Sequence, residues 1–442
     1  MAGSPAPAVR VFAGELVDFV DGDAPGAVAL RHRPRGALAV EDGRIVDADD
    51  DASALRRRLA GRGVAFEEAP FGDGLLMPGF IDAHIHAVQT DVIASWGTQL
   101  LDWLERHTFP AERRFADPAH AAEVAEVFVG ELLRNGTTCA LVFGSVHPGS
   151  VDAVLAAARR RRMRMIAGKS MMDRHCPEFL RDTAQSAYDD TAALIRRWQG
   201  VDRLGVAVTP RFAPTSTDAQ LEAACALLDA YPGTWLQTHV AENLDEVRWV
   251  AELFPGARSY LDVYEHFGLL RPRSVYAHCI HLDATDRRRM AERGAAAAFC
   301  PTSNLFLGSG LYDVAAMDAA GVVSALATDV GGGTSFSMLR TMGEAYKVAQ
   351  MAGQTLAPAR LFHLATRGGA RALGLDDRIG RLDPGFDADF VVLDPHAVPL
   401  LERRIARAPT LEERLFVYAT LGDDRAVAST WVHGECVWRR PR

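Results

Sequence analysis

The chain of 442 residues has few cysteines and no excess of basic charge. Its six cysteines are scattered, without a C-x-x-C pair, which disfavours both a disulfide framework and a thiolate zinc site. Lysine and arginine together number 48 against 57 aspartate and glutamate residues, so the formal net charge is −9. Because a nucleic-acid-binding protein usually presents a basic face, we expect no nucleic-acid partner.

Long apolar runs are missing as well. No run approaches the ~18 uncharged apolar residues that a membrane-spanning helix requires, so we expect no membrane partner. The first residues, MAGSPAPAVR, lack the apolar stretch behind a basic start that is typical of a secretory signal. We therefore expect a protein of the cytoplasm. Its 48% hydrophobic and 24% charged residues are the balance of an ordinary globular chain.

Both ends of the chain contain short strand-like segments. They cover residues 9–12, 37–40, 44–46, 389–393, 428–432 and 436–438. The step Asp42-Gly43, between the second and third segments, is typical of a hairpin turn. Neither end has enough strands for a stable sheet by itself, so we predict one small β-domain built from both termini.

Between residues 77 and 378, apolar strand-like runs alternate with helical segments. The eight runs cover residues 79–86, 137–144, 164–170, 204–210, 234–240, 274–279, 295–300 and 322–329. The segments between them are long enough for helices, for example over residues 119–133, 151–162 and 217–230. This alternation indicates βαβ units and a parallel sheet, and eight units predict a (β/α)₈ TIM barrel of the α/β class.

The strongest local motif is H-x-H at the end of the first run. Alternate residues of a strand share a face, so His84 and His86 are expected to point into the barrel at its carboxyl end, where barrel active sites lie. Ile81, Ala83 and Ile85 would then pack against the outer helices. Two inward imidazoles can hold one metal ion, although a hydrogen-bonded pair of core histidines explains this motif equally well by itself.

Three further runs end in side chains that bind metals. The fifth run ends in His239, with Glu242 three residues later, the sixth ends in His278, and the eighth ends in Asp329. Core packing does not readily explain why four strands place such residues at one rim, because buried ionisable groups are costly unless a charge pairs with them. The sequence therefore predicts a metal site at the rim of the barrel.

In this pattern the chain resembles the metal-dependent amidohydrolases over essentially its whole length. The resemblance implies a barrel of residues 77–378 and a composite β-sandwich domain formed by residues 1–76 and 379–442. No lysine closes the fourth run, which is followed by Arg211-Phe212, so a second, lysine-bridged metal is not expected. The implied ligands of one Zn²⁺ ion per chain are His84, His86, His239 and Asp329.

Within that superfamily, several segments resemble guanine deaminases, and the bacterial members are the nearer likeness. These segments are residues 101–104, 108–112, 209–213, 300–304 and 308–310. The resemblance implies that the small-molecule substrate is guanine, which is hydrolysed to xanthine and ammonia, and that the protein is a homodimer.

The catalytic residues in this interpretation are Glu242, His278 and Asp329. Asp329 and His278 orient the protons of a metal-activated water, and Glu242 protonates the purine ring and the departing amine.

Recognition of a flat, polar base requires an aromatic face and fixed polar groups. Phe212 offers the face, Arg211 a permanent fork of donors, and Gln89 both a donor and an acceptor. The residues expected to contact the substrate are His86, Gln89, Arg211, Phe212, His239, Glu242, His278 and Asp329. Further candidates for shaping the pocket are Ser303, Asn304 and Phe306.

Two alternatives stay open at this point. The substrate could be another aminopurine, a pterin or a triazine, as in related deaminases. A non-catalytic scaffold that has lost its metal is the second alternative, and the intact set of ligand types argues against it. The separate deaminase fold with H-x-E and P-C-x-x-C is excluded, since H-x-E occurs only in the tail turn His433-Gly434-Glu435 and P-C-x-x-C is absent.

Overall fold

The computed structural model describes residues 9–97 and 99–441. Its strands, in chain order, are β1 (Val9–Asp21), β2 (Val28–Glu41), β3 (Arg44–Asp49), β4 (Phe66–Glu68), β5 (Leu75–Pro78), β6 (Phe80–His86), β7 (Thr137–Phe143), β8 (Arg164–Gly168), β9 (Ser170–Met171), β10 (Leu204–Pro210), β11 (Trp235–Val240), β12 (Ser274–His278), β13 (Ala296–Phe299), β14 (Val323–Leu326), β15 (Phe390–Leu393), β16 (Val427–Val432) and β17 (Glu435–Arg439).

The α-helices are α1 (Ala52–Gly61), α2 (Leu100–Trp103), α3 (Phe109–Arg113), α4 (Pro118–Arg134), α5 (Pro148–Arg160), α6 (Ala184–Trp198), α7 (Asp218–Ala230), α8 (Leu244–Leu253), α9 (Tyr260–His266), α10 (Ala284–Glu292), α11 (Pro301–Phe306), α12 (Val314–Ala320), α13 (Met338–Met351), α14 (Pro358–Leu364), α15 (Arg367–Ala372), α16 (Pro399–Ile405) and α17 (Leu411–Leu421). Within residues 9–97 and 99–441, no helix is both long enough and apolar enough to cross a membrane.

Eight of these strands form a parallel sheet that curls into a barrel. The order is β6-β7-β8-β10-β11-β12-β13-β14, and the short β9 pairs with β10. Bonds from the segment after β14 to β6 nearly close the ring: the Asp329 amide donates to the His84 carbonyl at 3.0 Å, and the His86 amide donates to the Val330 carbonyl at 2.9 Å. Each of the eight predicted runs contains one barrel strand, so the predicted TIM barrel is confirmed.

Strand β6 departs from regular alternation. Its pairing with β7 shifts register between Asp82 and Ile85. Ile81 and Ala83 belong to a cluster of small apolar residues from the barrel strands and from α15, whereas Ile85 packs in the large cluster that includes α4. Ile85 thus packs with an outer helix as expected, whereas Ile81 lies against Gly369 of α15.

The second sheet consists of strands from both ends of the chain. Its order is β17-β16-β15-β5-β1-β2-β3, with β4 on β1. The sheet curls enough to bring the Phe12 ring to 4.9 Å from the Phe390 ring and 5.0 Å from the Trp431 ring. A sheet of terminal strands is thus confirmed, while the division at residues 76 and 379 stays a prediction.

Three helices of this region were not predicted from the sequence. Helix α1 starts at the N-cap Asp51, and α16 and α17 lie between β15 and β16. Helix α17 begins with a capping box in which Thr410 and Glu413 bond each other's backbone amides, a sequence signal that could have revealed it.

Candidate active site

The predicted metal ligands meet at the carboxyl rim of the barrel. His84 and His86 lie at the end of β6, His239 near the end of β11, and Asp329 just after β14. The Nε2 atom of His86 lies 3.2 Å from the Nε2 atoms of both His84 and His239. The Oδ1 atom of Asp329 lies 3.2 Å from His84 Nε2 and 3.4 Å from His86 Nε2. Two overlapping groups, one of His84, His86 and His239 and one of His84, His278 and Asp329, could each hold a metal ion.

The chemistry of these donors fits a cation. The Nδ1 atom of His239 donates to the Arg211 carbonyl at 2.6 Å, which leaves the lone pair of Nε2 directed at the other imidazoles. Burial lowers the pKa of both His86 and His239 well below the usual value of histidine, so both rings are neutral, as metal ligands must be. Ring nitrogens that present lone pairs to each other repel unless a positive ion lies between them.

Asp329 supplies the negative charge of this cluster. Burial opposes its ionisation, but the neighbouring imidazoles, His84 foremost, lower the pKa of Asp329 to about 2. It is one of several residues at the rim with left-handed backbone geometry: φ is 50° at Ala241, 72° at His278 and 50° at Asp329. Such conformations are unfavourable for residues other than glycine and concentrate at functional sites.

Glu242 and His278 lie beside the four predicted ligands. The Oε2 atom of Glu242 lies 3.2 Å from His278 Nε2, and the Ser309 hydroxyl donates to Oε1 at 2.9 Å. The Nδ1 atom of His278 lies 2.9 Å from the amide oxygen of Asn304. Burial raises the pKa of Glu242 to about 7, so this carboxyl group can both hold and release a proton near neutral pH.

The cluster opens into a cavity whose empty space, including the part open to solvent, is about 420 Å³. The cavity is lined by His86, Gln89, Leu100, Trp103, Leu104, Arg211, Phe212, His239, Glu242, Glu246, His278, Ser303, Leu307, Asp329 and Gly332. Every residue that was predicted to contact the substrate is in this list. Of the three further candidates, Ser303 lines the cavity, Asn304 bonds His278, and Phe306 packs in the apolar cluster behind the wall.

Several residues of the cavity were not identified from the sequence. Leu100, Trp103 and Leu104 form an apolar wall in the segment before α3, and Trp103 Nε1 donates to the Ser95 carbonyl at 2.8 Å. Glu112, in α3, is fully buried and pairs with Arg211. The resemblance of segments 101–104 and 108–112 to guanine deaminases could have indicated that these residues belong to the site. It did not indicate what each side chain does.

The chain is similar to known proteins over most of its length. The model of the Amidohydrolase family matches residues 75–437. A guanine deaminase of Escherichia coli (strain K12) is 50% identical over 366 residues, which cover 83% of this chain and 83% of that protein. The solved structure of E. coli guanine deaminase superposes with a TM-score of 0.93 at 44% identity, covering 98% of this chain and 100% of that one.

A second solved structure is guanine deaminase from C. acetobutylicum with guanine bound in its active site. It superposes with a TM-score of 0.88 at 26% identity and covers 97% of this chain and 100% of that one. The family match, the barrel and the second sheet of terminal strands lead to one conclusion. The chain belongs to the amidohydrolase family.

Proposed function

We propose that this protein is a guanine deaminase, which converts guanine and water to xanthine and ammonia. The observation that carries the proposal is the position of Glu242 in one cavity with a candidate metal cluster, Arg211 and Phe212. The likeness to guanine deaminases over most of the chain supports it. On the same likeness we propose a cytoplasmic homodimer that acts in purine catabolism.

Four residues would hold one Zn²⁺ ion in this proposal: His84, His86, His239 and Asp329. Imidazole and carboxylate ligands suit zinc, and a bound zinc ion supplies an activated water at neutral pH. Zinc, rather than another divalent metal, is part of the proposal.

The protons of the reaction are handled by the chain's own residues. His278 and Asp329 accept hydrogen bonds from the water and orient it toward C2 of guanine, which carries the exocyclic amine. Glu242 holds a proton and transfers it to ring nitrogen N3 as the oxygen of the water bonds to C2. The carboxylate then takes one proton from that oxygen and passes it to the amine, and the second proton of the water returns to Glu242. The bond from C2 to the amine nitrogen breaks, ammonia leaves, and C2 keeps the oxygen. Such general acid–base help contributes roughly 10²–10⁴-fold to the rate.

The base is held by the opposite wall of the cavity. Phe212 is buried and packs edge-on against Trp249, with ring centroids 6.3 Å apart, which fixes its ring as a stacking surface. Arg211 offers donors to the carbonyl oxygen of guanine, and Gln89 offers an amide to its polar edge. This pairing of a guanidinium with a carbonyl favours guanine over aminopurines without one.

The test is turnover of guanine followed by ultraviolet absorbance and by ammonia release. We expect conversion to xanthine, with zinc near one equivalent per chain and adenine turned over at a rate lower by ~10⁴-fold or more. Adenine is the control because its only exocyclic amine is on C6 and it has no carbonyl oxygen. Equal turnover of adenine and guanine, or no ammonia from guanine with the metal bound, would contradict the proposal.

A further inference from the structure

Glu112 lies against the proposed guanine pocket, yet the mechanism above gives it no role. It belongs to helix α3, in the segment that covers the cavity, and its side chain is fully buried. A buried carboxylate is costly unless its charge and its lone pairs are satisfied. Its partners therefore indicate what this residue does.

Two residues of the substrate wall converge on Glu112. The Nη1 atom of Arg211 donates to both carboxylate oxygens, each at 2.9 Å. The Nε2 atom of Gln89 approaches Oε1 at 3.4 Å. The Phe109 ring lies against the guanidinium of Arg211, with its centroid 5.4 Å from the central carbon. One nitrogen and one face of the guanidinium are thus held by α3.

The remaining donors of Arg211 are left for a ligand. A guanidinium carries five N–H groups, and Glu112 occupies only those on Nη1. Among residues 9–97 and 99–441, no side chain accepts a hydrogen bond from Nε or Nη2 of Arg211, and Arg211 lines the cavity. The carboxylate also compensates the buried positive charge, so Arg211 can stay in the pocket before a neutral base enters.

Glu112 also sets the orientation of Gln89. An ionised carboxylate only accepts hydrogen bonds, so the amide nitrogen of Gln89 has to face it. At the other end of the amide, the Gly331 backbone N–H donates to Gln89 Oε1 at 3.3 Å. The amide is therefore held in one of its two possible orientations, and its unused donor and acceptor positions face the pocket in a defined order.

We infer that Glu112 is a positioning residue that determines specificity for guanine, since it holds Arg211 and Gln89 in register with the polar edge of the base. This inference rests on the proposed function. It assigns Glu112 no contact with the reacting atoms. We therefore expect a substitution of Glu112 to change the discrimination between bases with and without the carbonyl oxygen, and to leave metal binding unchanged.

The test compares guanine with 2-aminopurine in the unaltered enzyme and in Glu112→Gln. 2-Aminopurine keeps the amine at C2 but has neither the carbonyl oxygen nor the N1 proton. Loss of positioning should lower kcat/KM for guanine much more than for 2-aminopurine, so the ratio of the two values should fall by about tenfold or more. Metal content should not change.

Two matched variants sharpen the result. Glu105→Gln makes the same chemical change on an exposed residue of the same segment and should leave the ratio unchanged. Glu112→Asp keeps the charge at a shorter reach and should lower the ratio less than Glu112→Gln. If Glu112→Gln does not fold, the ratio in Glu112→Asp decides the question.

An equal fall of both kcat/KM values would show a structural role only and would overturn the inference. An unchanged ratio in an enzyme that does deaminate guanine would overturn it as well, while the proposed function would stand. If the unaltered, metal-loaded protein releases no ammonia from guanine, the proposed function fails, and so does this inference.

Discussion

At the scale of single residues, the rim of the barrel brings ionisable side chains together almost without solvent. The exposed fraction is 1% for His84, 3% for His86 and 5% for Asp329. The Nδ1 atom of His86 has no hydrogen-bond partner among the described residues. Such a cluster costs free energy in the absence of a cation, so it is retained for function rather than for stability.

Replacement of a central ligand should therefore remove the metal. We expect His86→Ala to lose zinc and activity together, since the Nε2 atom of His86 contacts both His84 and His239. Metal analysis of the purified variant, alongside the unaltered protein, measures this. A variant that retains one zinc per chain and normal turnover would contradict the assignment of the ligands.

Glu242 should behave in the opposite way. Glu242→Gln keeps the shape of the side chain but removes the group whose pKa burial raises to about 7. We expect zinc to stay bound while turnover of guanine falls by about a hundredfold or more, because proton transfer is lost. Parallel measurement of metal content and turnover tests this role. Loss of zinc would instead make Glu242 a ligand.

At the scale of elements, close contact between neighbouring parallel strands holds the carboxyl ends of the barrel strands in place. Gly168 ends β8, and a Cβ atom there would overlap the Ala207 carbonyl oxygen and the Thr209 hydroxyl of β10. The backbone carbonyl cannot move unless the two strands separate. We expect Gly168→Ala to destabilise the protein by about 1–3 kcal/mol, as measured by urea unfolding.

The control for this prediction is Gly130→Ala in helix α4. Apart from the neighbouring backbone of the same helix, no atom lies within 4 Å of the position that a Cβ would occupy at Gly130, and alanine is favoured in helices. This variant should be neutral or more stable by up to ~1 kcal/mol. Equal unfolding midpoints for the two variants would contradict the strand-contact argument.

At the scale of the whole molecule, buried ion pairs join the barrel to the segment before β15. Arg203, just before β10, donates to Asp387 at 3.1 Å and to Asp389 at 2.9 Å. Arg164, at the start of β8, donates to Asp387 at 2.6 Å. Burial opposes the ionisation of Asp387, but the charge of Arg203 lowers the pKa of Asp387 below its usual value.

Removal of Arg203 should be costly because it leaves buried carboxylates without their partner. We expect Arg203→Ala to lower the free energy of unfolding by roughly 3–5 kcal/mol. Arg56→Ala, which breaks the exposed pair with Glu68, is the control and should cost roughly 0–1 kcal/mol. Similar losses in the two variants would refute the special role of the buried pairs.

The same pairs predict how stability depends on pH. A carboxyl group whose pKa is lower in the folded state stabilises the fold above its unfolded pKa, and this stabilisation is lost as the pH falls toward the folded pKa. The contribution of Asp387 should therefore be complete at neutral pH and decline below about pH 4. Urea unfolding at several acidic pH values should show that the free energy of unfolding falls less with decreasing pH in Arg203→Ala than in the unaltered protein.

The barrel and the approximate position of each barrel strand were determined by the sequence alone. Apolar runs of strand length recur between helical segments, and a polar residue ends each strand that contributes to the site, so local pattern suffices. Asp42 and Gly43 were predicted as a turn for a similar local reason, and both have positive φ, of 47° and 76°.

Only the tertiary structure decided which residues surround the ligands. Glu112 and Arg211 are 99 positions apart, and Ser309 and Glu242 are 67 apart, so no periodicity connects them. The irregularity in β6 likewise depends on its pairing with β7 and on the closure of the barrel by Asp329. Local propensity and hydrophobic periodicity act over a few residues, whereas a pocket is built by the packing of segments that are distant in sequence. The local sequence of such a segment does not indicate which other segment it contacts.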